Sequence, residues 1–455
     1  MSTLSYKPLR ESAHLVHLSD EEIQWKLEDK KRAENYFASF PKKEYARLYK
    51  RLLAPSKTRL ISDANGKIEV ILLTLPPYYD QKNPDIPVDP AHEHHLLRLL
   101  THLSKHKRKY VIHCHASQTK TVKRWFRKLN IPSSSYTLSI SVFNYSIWAQ
   151  DAYVSLRNGS EKIILGESVC FTRDHDMSVA DDLAIQANVK VIQSHLYFQG
   201  GNIIQAGDYA IVGKDYIMEN LGRMFMETEK KVIKEFRRFF DRDLIVVGTG
   251  DIIPKNHRQS LGGGIFQPIF HVDMYISPTG LRNASGKELV FVGSPKLARQ
   301  IMKEPSPDSD HDGYFDETAR QLKQYFRVKR LPLLPTLFQS KEMETPRHYY
   351  LSYNNVLVEN YGSEKNPSRH VFMPSYTASV KQFLNEPFIT RYHGEESKYR
   401  LLDEAAEKIW EREGFTVYRI DGVEDLAMNW GSVHCITKAL KRSETKVPAK
   451  KKIKK

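Results

Sequence analysis

The sequence predicts an α/β fold. Short apolar runs rich in β-branched residues recur along the chain, such as residues 68–73 and 244–247. Longer segments with helical spacing lie between them, such as residues 119–129 and 398–413. The two kinds alternate, and strand, helix, strand units repeated along a chain make an α/β protein.

In chain order, residues 1–62 read as a helical extension. Ser19 and Glu22 have the spacing of a capping box, and charged helix is expected to about residue 31, with more to about residue 53. Strand 68–73 follows. A helix over 91–104 leads to strand 110–112, a helix over 119–129 to strand 136–141, and a helix over 179–187 to strand 189–192. Strand 209–213 comes next, and a helix over 227–240 precedes strand 244–247. Strand 288–293, a helix over 314–326, strand 328–333 and a long strand over 349–359 continue the alternation. The helix over 398–413 is stopped by Gly414 ahead of strand 416–419. The repeat is one of secondary structure, with no repeat of residues. These elements are expected to form one domain over 63–441, leaving a basic tail over 442–455.

At 455 residues, 40% apolar and 27% charged, the chain reads as globular, and no apolar run reaches the length of a membrane span. Cys114, Cys170 and Cys435 are odd in number and far apart, which argues against a disulfide framework and for a reducing compartment, hence a cytoplasmic location. The net charge is +15, and residues 441–455 hold eight basic residues and one acidic one. That tail is too polar to fold alone. It is expected to be a nuclear address, a contact for nucleic acid or an anionic surface, or a solvated tail.

Four stretches carry chemistry. Asn429-Trp430-Gly431-Ser432-Val433-His434-Cys435 places a cysteine after a Gly-Ser turn that can bring backbone N–H groups near a ligand. A thiolate needs positive surroundings to act as a nucleophile near neutral pH. Tyr145-Ser146-Ile147-Trp148-Ala149-Gln150-Asp151, Phe198-Gln199-Gly200-Gly201-Asn202 and Phe270-His271-Val272-Asp273 each set polar residues amid apolar ones. In the last, a period of two puts His271 and Asp273 on one strand face. Together these groups make a kit. Asp151 and Asp273 can clamp a planar guanidinium through charge-assisted hydrogen bonds. Cys435 can attack its carbon, and His271 can protonate the departing amine and then activate a water.

The ordered set Trp-Ala-Gln-Asp, Gly-Gly-Asn, His-Val-Asp and Gly-Ser-Val-His-Cys resembles the guanidine-modifying pentein superfamily. That group includes protein-arginine deiminases, agmatine deiminases and amidinotransferases. The resemblance implies a five-bladed, pseudo-symmetric α/β propeller with Cys435, His271, Asp273 and Asp151 catalytic on its axis. It also implies Trp148, Gln150, Arg173 and Asn202 as substrate-binding residues. Gln150 and Phe171-Thr172-Arg173 are similar to protein-arginine deiminases, in which the arginine binds the substrate backbone. Phe198-Gln199-Gly200-Gly201-Asn202, Ser352-Tyr353-Asn354-Asn355 and His434-Cys435-Ile436-Thr437-Lys438 are closer to agmatine deiminases. The leading expectation is deimination of arginine in a protein to citrulline and ammonia. Agmatine or another small guanidine, and amidino transfer, are the alternatives.

No cofactor is expected. The calcium-ligand positions of animal deiminases are taken here by Ala152, Tyr153, Val154, Ile203 and Ile204. A second calcium reading rests on Asp308-Ser309-Asp310-His311-Asp312-Gly313-Tyr314-Phe315-Asp316, but position twelve of that loop is Ala319 instead of Glu. The alternative there is a polar loop capping the next helix. His92, His94, His95, His102, His113 and His115 lack metal-ligand spacing. Gly262-Gly263-Gly264 reads as a loop near His271.

Overall fold

The structure is a computed structural model that describes residues 58–76, 91–141, 145–159, 162–169, 173–223, 226–249, 266–304, 310–338, 347–363, 365–377 and 396–443. The capping box, most of the N-terminal extension, the triple-glycine loop and the tail from residue 444 lie outside these residues.

The described chain opens with β1 (Arg59–Leu60) and β2 (Ile68–Leu75), then α1 (Ala91–Leu103), β3 (Lys109–His115), α2 (Thr119–Lys128) and β4 (Tyr136–Ser141). Next come β5 (Tyr153–Arg157), β6 (Ile164–Glu167), α3 (Asp174–Gln186) and β7 (Lys190–Gln193). β8 (Ile203–Ala206), β9 (Tyr209–Gly213), α4 (Lys214–Asn220), α5 (Glu229–Phe240) and β10 (Asp243–Val247) follow. Then come β11 (Ile276–Arg282), β12 (Glu288–Ser294), α6 (Pro295–Met302), α7 (Asp310–Lys323), β13 (Arg327–Phe338) and β14 (Arg347–Ser352). The last elements are β15 (Leu357–Gly362), β16 (Pro367–Ser375), α8 (Glu396–Arg412), β17 (Thr416–Asp421), α9 (Glu424–Met428) and β18 (Thr437–Arg442).

These strands form five sheets, and one unit recurs in each. An antiparallel pair is followed by a third strand parallel to the second. The sets are β5-β6-β7, β8-β9-β10, β11-β12-β13 and β15-β16-β17. The parallel step needs a long crossover, which the helices between those strands provide. The fifth set joins the two ends of the domain: β18 runs antiparallel to β2, and β3 and β4 add in parallel. No described helix is long and apolar enough to cross a membrane.

Local sequence explains the elements. β2 is apolar along nearly its whole length because both of its faces are buried. In α5, Val232, Phe236 and Phe240 line one buried face, and the Thr228 side chain accepts from the Lys231 N–H at its start. In α6, Ser294 caps the Leu297 N–H and Pro295 opens the first turn. The largest core cluster joins β2 and β3 to β15, β16 and helices α1 and α8, with Trp410 and Phe372 fully buried in it.

Two expectations change, and a third lies partly outside the described residues. Arg59–Leu60, read as part of the helical extension, is a strand paired with β5. The strand read over 349–359 is two strands, β14 and β15, separated by a polar turn at residues 353–356. The calcium reading over Asp308–Asp316 falls partly outside the described residues. From Asp310 onward the chain is helical, with Asp312 paired to Arg299 and Asp316 to Arg330.

A buried ion pair locks the fifth sheet to the fourth. Glu359 on β15 accepts from both terminal nitrogens of Arg108 at 3.2 Å, and from the Ile68 N–H at 2.7 Å. Burial works against the Glu359 charge, but His370, Arg108 and the Ile68 N–H outweigh it and hold its pKa down to about 2. Arg108→Met would leave that carboxylate buried without its guanidinium partner, an expected loss of about 3–5 kcal/mol in denaturant unfolding. The folded pKa lies below the ordinary 4.5, so this contribution is present above that pH and fades as pH falls toward 2. The stability gap between the parent and Glu359→Gln should close over that interval.

Candidate active site

The four stretches singled out by sequence, and a fifth, occupy the same place in the five units. Each lies just ahead of a hairpin's first strand. Residues 148–151 precede β5, 199–202 precede β8, 271–273 precede β11, 353–355 precede β15 and 434–435 precede β18. They are turns, not strands; Val272–Met274 is a single 3₁₀ turn, so the shared strand face expected for His271 and Asp273 does not exist.

A closed cycle of hydrogen bonds joins these turns. The Gly200 N–H donates to the Asp151 carbonyl at 2.7 Å, and the Val272 N–H to Asn202 Oδ1 at 3.1 Å. Asn355 Nδ2 donates to the Asp273 carbonyl at 3.4 Å, and the His434 N–H to Asn355 Oδ1 at 3.0 Å. The Gln150 N–H donates to the Cys435 carbonyl at 3.1 Å and closes the ring. Each buried turn thereby satisfies polar groups that it cannot satisfy alone.

The carboxylates of Asp151 and Asp273 are both buried, and each is held alike. Asp151 Oδ2 takes a hydrogen bond from Arg173 at 2.9 Å, while its Oδ1 is buried without a hydrogen-bond partner. Asp273 Oδ2 takes one from His434 Nδ1 at 2.8 Å, while its Oδ1 is likewise without one. A resident cation thus holds one oxygen of each, and the other oxygen is unused. His434 also faces Asp63, at 3.6 Å. Burial opposes the His434 charge, but hydrogen bonds to Asp273 and Asp63 outweigh it and lift its pKa to about 9. Burial pushes the Asp151 carboxyl upward, and Arg173 pulls against that shift.

Cys435 Sγ lies 3.5 Å from Asp273 Oδ2 and accepts from Asn355 Nδ2 at 3.1 Å. Burial first, then the charges of Asp273 and Asp151, push its thiol well above the ordinary range. The positive surroundings expected from sequence are therefore not resident at the sulfur. A cation placed on the unused carboxylate oxygens would cancel the two charges that add to burial in raising the thiol pKa. Gly431, expected to expose backbone N–H groups, has a different constraint: a Cβ there would meet the Trp148 ring at 2.1 Å.

His271 Nε2 lies 2.8 Å from Gln199 Oε1 and 3.2 Å from the Tyr216 hydroxyl. An amide oxygen only accepts, so Nε2 carries a proton and Nδ1 turns toward Asp151 Oδ1, 3.8 Å away. Gly201 sits at this junction. A Cβ there would lie 2.5 Å from His271 Nδ1 and 3.1 Å from Asp151 Oδ1, so glycine alone leaves the space open.

The residues expected to bind substrate divide. Trp148 is half-buried, and its carbonyl accepts from the Asp151 N–H. Arg173 pairs with Asp151 and, at 2.6 Å, with Asp176. The Gln150 side chain turns to the Gly200 carbonyl at 3.4 Å, and Asn202 Oδ1 accepts from Gln267 at 3.0 Å as well as from Val272. Sequence reading quoted Asn355, His434 and Gln199 within motifs without giving them a role, and it missed Asp63 and Tyr216. The Asn354-Asn355 pair interrupting an apolar strand pattern was the available signal for the fifth turn. Asp63 carries no local signal, because its role depends on contacts with His434 from the far end of the chain.

The acidic, buried setting of Cys435 predicts selective labelling. Relative to their rates with free cysteine, cationic chloroacetamidine should label Cys435 faster than neutral iodoacetamide by about tenfold per unit of thiol pKa that the cation reverses. Equal relative rates, or labelling that persists in Cys435→Ala, would refute this account of the site.

No protein-family model and no curated protein matches the chain by sequence. Solved structures do match. A structure described as a candidate agmatine deiminase aligns with a TM-score of 0.58 at 13% identity. The agmatine deiminases of C. jejuni and Enterococcus faecalis align with TM-scores of 0.52 and 0.53, each at 14% identity. Each alignment covers 84% of this chain and 95% of the other. The likeness is one of fold, spanning nearly the whole of those enzymes: this chain folds as the agmatine deiminases do.

Proposed function

We propose that this chain is a cysteine hydrolase that deiminates a small guanidine, with agmatine the first candidate, and that its five units are the blades of a five-bladed propeller around the ring of turns. The observation that carries the reading is the pair of buried carboxylate oxygens, Asp151 Oδ1 and Asp273 Oδ1, without hydrogen-bond partners beside Cys435 and His271. An unsatisfied buried carboxylate oxygen is costly, and a planar cation with several N–H donors satisfies two of them at once.

In this reading the guanidinium docks between the two aspartates, its charge favours the Cys435 thiolate, and the thiol proton passes to His271, which becomes an imidazolium. The sulfur bonds to the guanidinium carbon. One C–N bond then breaks, and the nitrogen leaves as neutral ammonia with a proton from His271. A water attacks the S-linked amidinium while His271 takes its proton. The C–S bond breaks, the ureido product leaves and the thiolate is restored. His434 and Arg173 hold the other oxygen of each aspartate.

Protein arginine was the leading expectation, and a small guanidine fits better. The peptide reading needs Arg173 to donate to substrate carbonyls, and Arg173 is engaged by Asp151 and Asp176. The solved chains of like fold include agmatine deiminases. Calcium, nucleic acid and protein partners of the site have no supporting observation in this region.

Ammonia release from agmatine, free arginine and an acylated arginine amide tests the proposal. Agmatine should be the best substrate; no ammonia from any guanidine overturns the reading, and amidine passed to an added amine moves it to amidino transfer. Cys435→Ala should lose several orders of magnitude in kcat while binding agmatine within a few-fold of the parent. Asp273→Asn keeps the shape but halves the clamp, with an expected loss of about 2–5 kcal/mol in kcat/KM. Asp273→Asn with normal turnover would remove that residue from the clamp.

A further inference from the structure

Besides the basic C-terminal stretch, a second excess of positive charge lies within the described residues. Residues 94–150 contain ten lysines and arginines and no aspartate or glutamate, against a net charge of +15 for the whole protein. This stretch covers most of α1 together with β3, α2 and β4. Arg108 is buried against Glu359, but Lys105, Lys107 and Lys109 are exposed.

α2 is the centre of this surface. Val122, Trp125 and Phe126 face the core. Lys120, Lys123, Arg124, Arg127 and Lys128 are exposed, and their three- and four-residue spacing lines them along one stripe. Among the described residues none of the five has an acidic partner, and the helix carries no acidic residue. α5 is an internal contrast. It exposes Lys230, Lys231, Lys234, Arg237 and Arg238, but Lys231 pairs with Glu227 and Arg238 with Glu235. Like charges at such spacing destabilise a helix unless something offsets them. On α5 acids of the same region do so; on α2 no described residue does.

We propose that the α2 stripe docks the phosphate backbone of a nucleic acid. Its charges span about 12 Å at a rise of 1.5 Å per residue, a length over which a DNA duplex presents roughly seven phosphates. Two further features extend the surface. Ser133 and Ser134 are exposed in the turn after α2, and hydroxyls are common phosphate donors. The Tyr110–Phe126 ring contact, at 5.8 Å, brings the start of β3 with Lys107 and Lys109 beside the end of α2. The stripe offers point charges and nothing shaped to read base edges, so binding is independent of sequence. A membrane surface fits less well, because the apolar side chains that would insert are used in the core. A folded protein partner fits less well, because the stripe lacks the aromatic or aliphatic anchors of such interfaces.

Binding of the full-length protein to a short labelled DNA duplex of random sequence, measured by anisotropy over a range of salt, tests this. The α2 variant carries Lys120→Gln, Lys123→Gln, Arg124→Gln, Arg127→Gln and Lys128→Gln; the control carries Lys230→Gln, Lys231→Gln, Lys234→Gln, Arg237→Gln and Arg238→Gln. The slope of log K against log salt should shrink by roughly 4 in the α2 variant, at about 0.9 per phosphate contact, and stay near the parent's in the control. Where the α2 variant unfolds by thermal midpoint, Lys123→Gln with Arg127→Gln replaces it, with a slope change of roughly 2. Absence of duplex binding by the parent overturns the proposal. So does an unchanged slope in the α2 variant, which assigns binding to other residues, or an equal loss in the control. Binding to phosphatidylserine vesicles in place of the duplex also overturns it.

Discussion

The closed hydrogen-bond cycle through the five turns is the constraint on which the rest of the structure depends. Each turn is buried and carries peptide groups that its own unit leaves unpaired. The neighbouring turn supplies the partner, from Gly200 on Asp151 round to Gln150 on Cys435. The ring closes only because β18 returns to pair with β2, which brings residues 434–435 to residues 150–151 across most of the chain. Asn355 is its hinge: one side-chain amide donates to the Asp273 carbonyl and to Cys435 Sγ, and accepts from the His434 N–H.

A ring held by backbone groups and the amides of Asn202 and Asn355 leaves the carboxylates of Asp151 and Asp273 available for chemistry. The two aspartates use that freedom in the same way. Each keeps one oxygen on a resident cation and holds the other in reserve. Burial alone would favour protonated, neutral acids. Arg173 and His434 oppose that without filling the reserved oxygens. The same burial that makes a carboxylate hungry for a cation also keeps the adjacent Cys435 thiol quiet. In the proposed reaction, reactivity is thereby tied to a cationic substrate.

The outside of the molecule follows a different logic. Charges on α5 are balanced by nearby glutamates, so that helix is electrostatically closed. Charges on α2 are not balanced, although both helices pack through three aromatic or aliphatic positions of the same kind. Packing therefore does not account for the basic face of α2.

The sequence determined the alternation of strands and helices, because periodicity and capping are local. Strand 136–141 falls where the apolar pattern placed it, and the helix ending at Gly414 stops there because that glycine adopts a left-handed φ of 82°. The residue types of the site were also legible: Asp151, His271, Asp273 and Cys435 stand out as polar groups in apolar stretches, and the structure brings them together. What only the tertiary structure decided was how each is held. Arg173 is close to Asp151 only after α3 packs behind the turn, and His434 meets Asp63 only when the two ends of the domain share a sheet. His271 and Asp273 left the strand predicted for them because the cycle requires a turn there, with the Val272 N–H reaching Asn202. Periodicity reports which side of an element is buried; it carries no record of which distant carbonyl, carboxylate or cation will satisfy a polar group once burial has removed water.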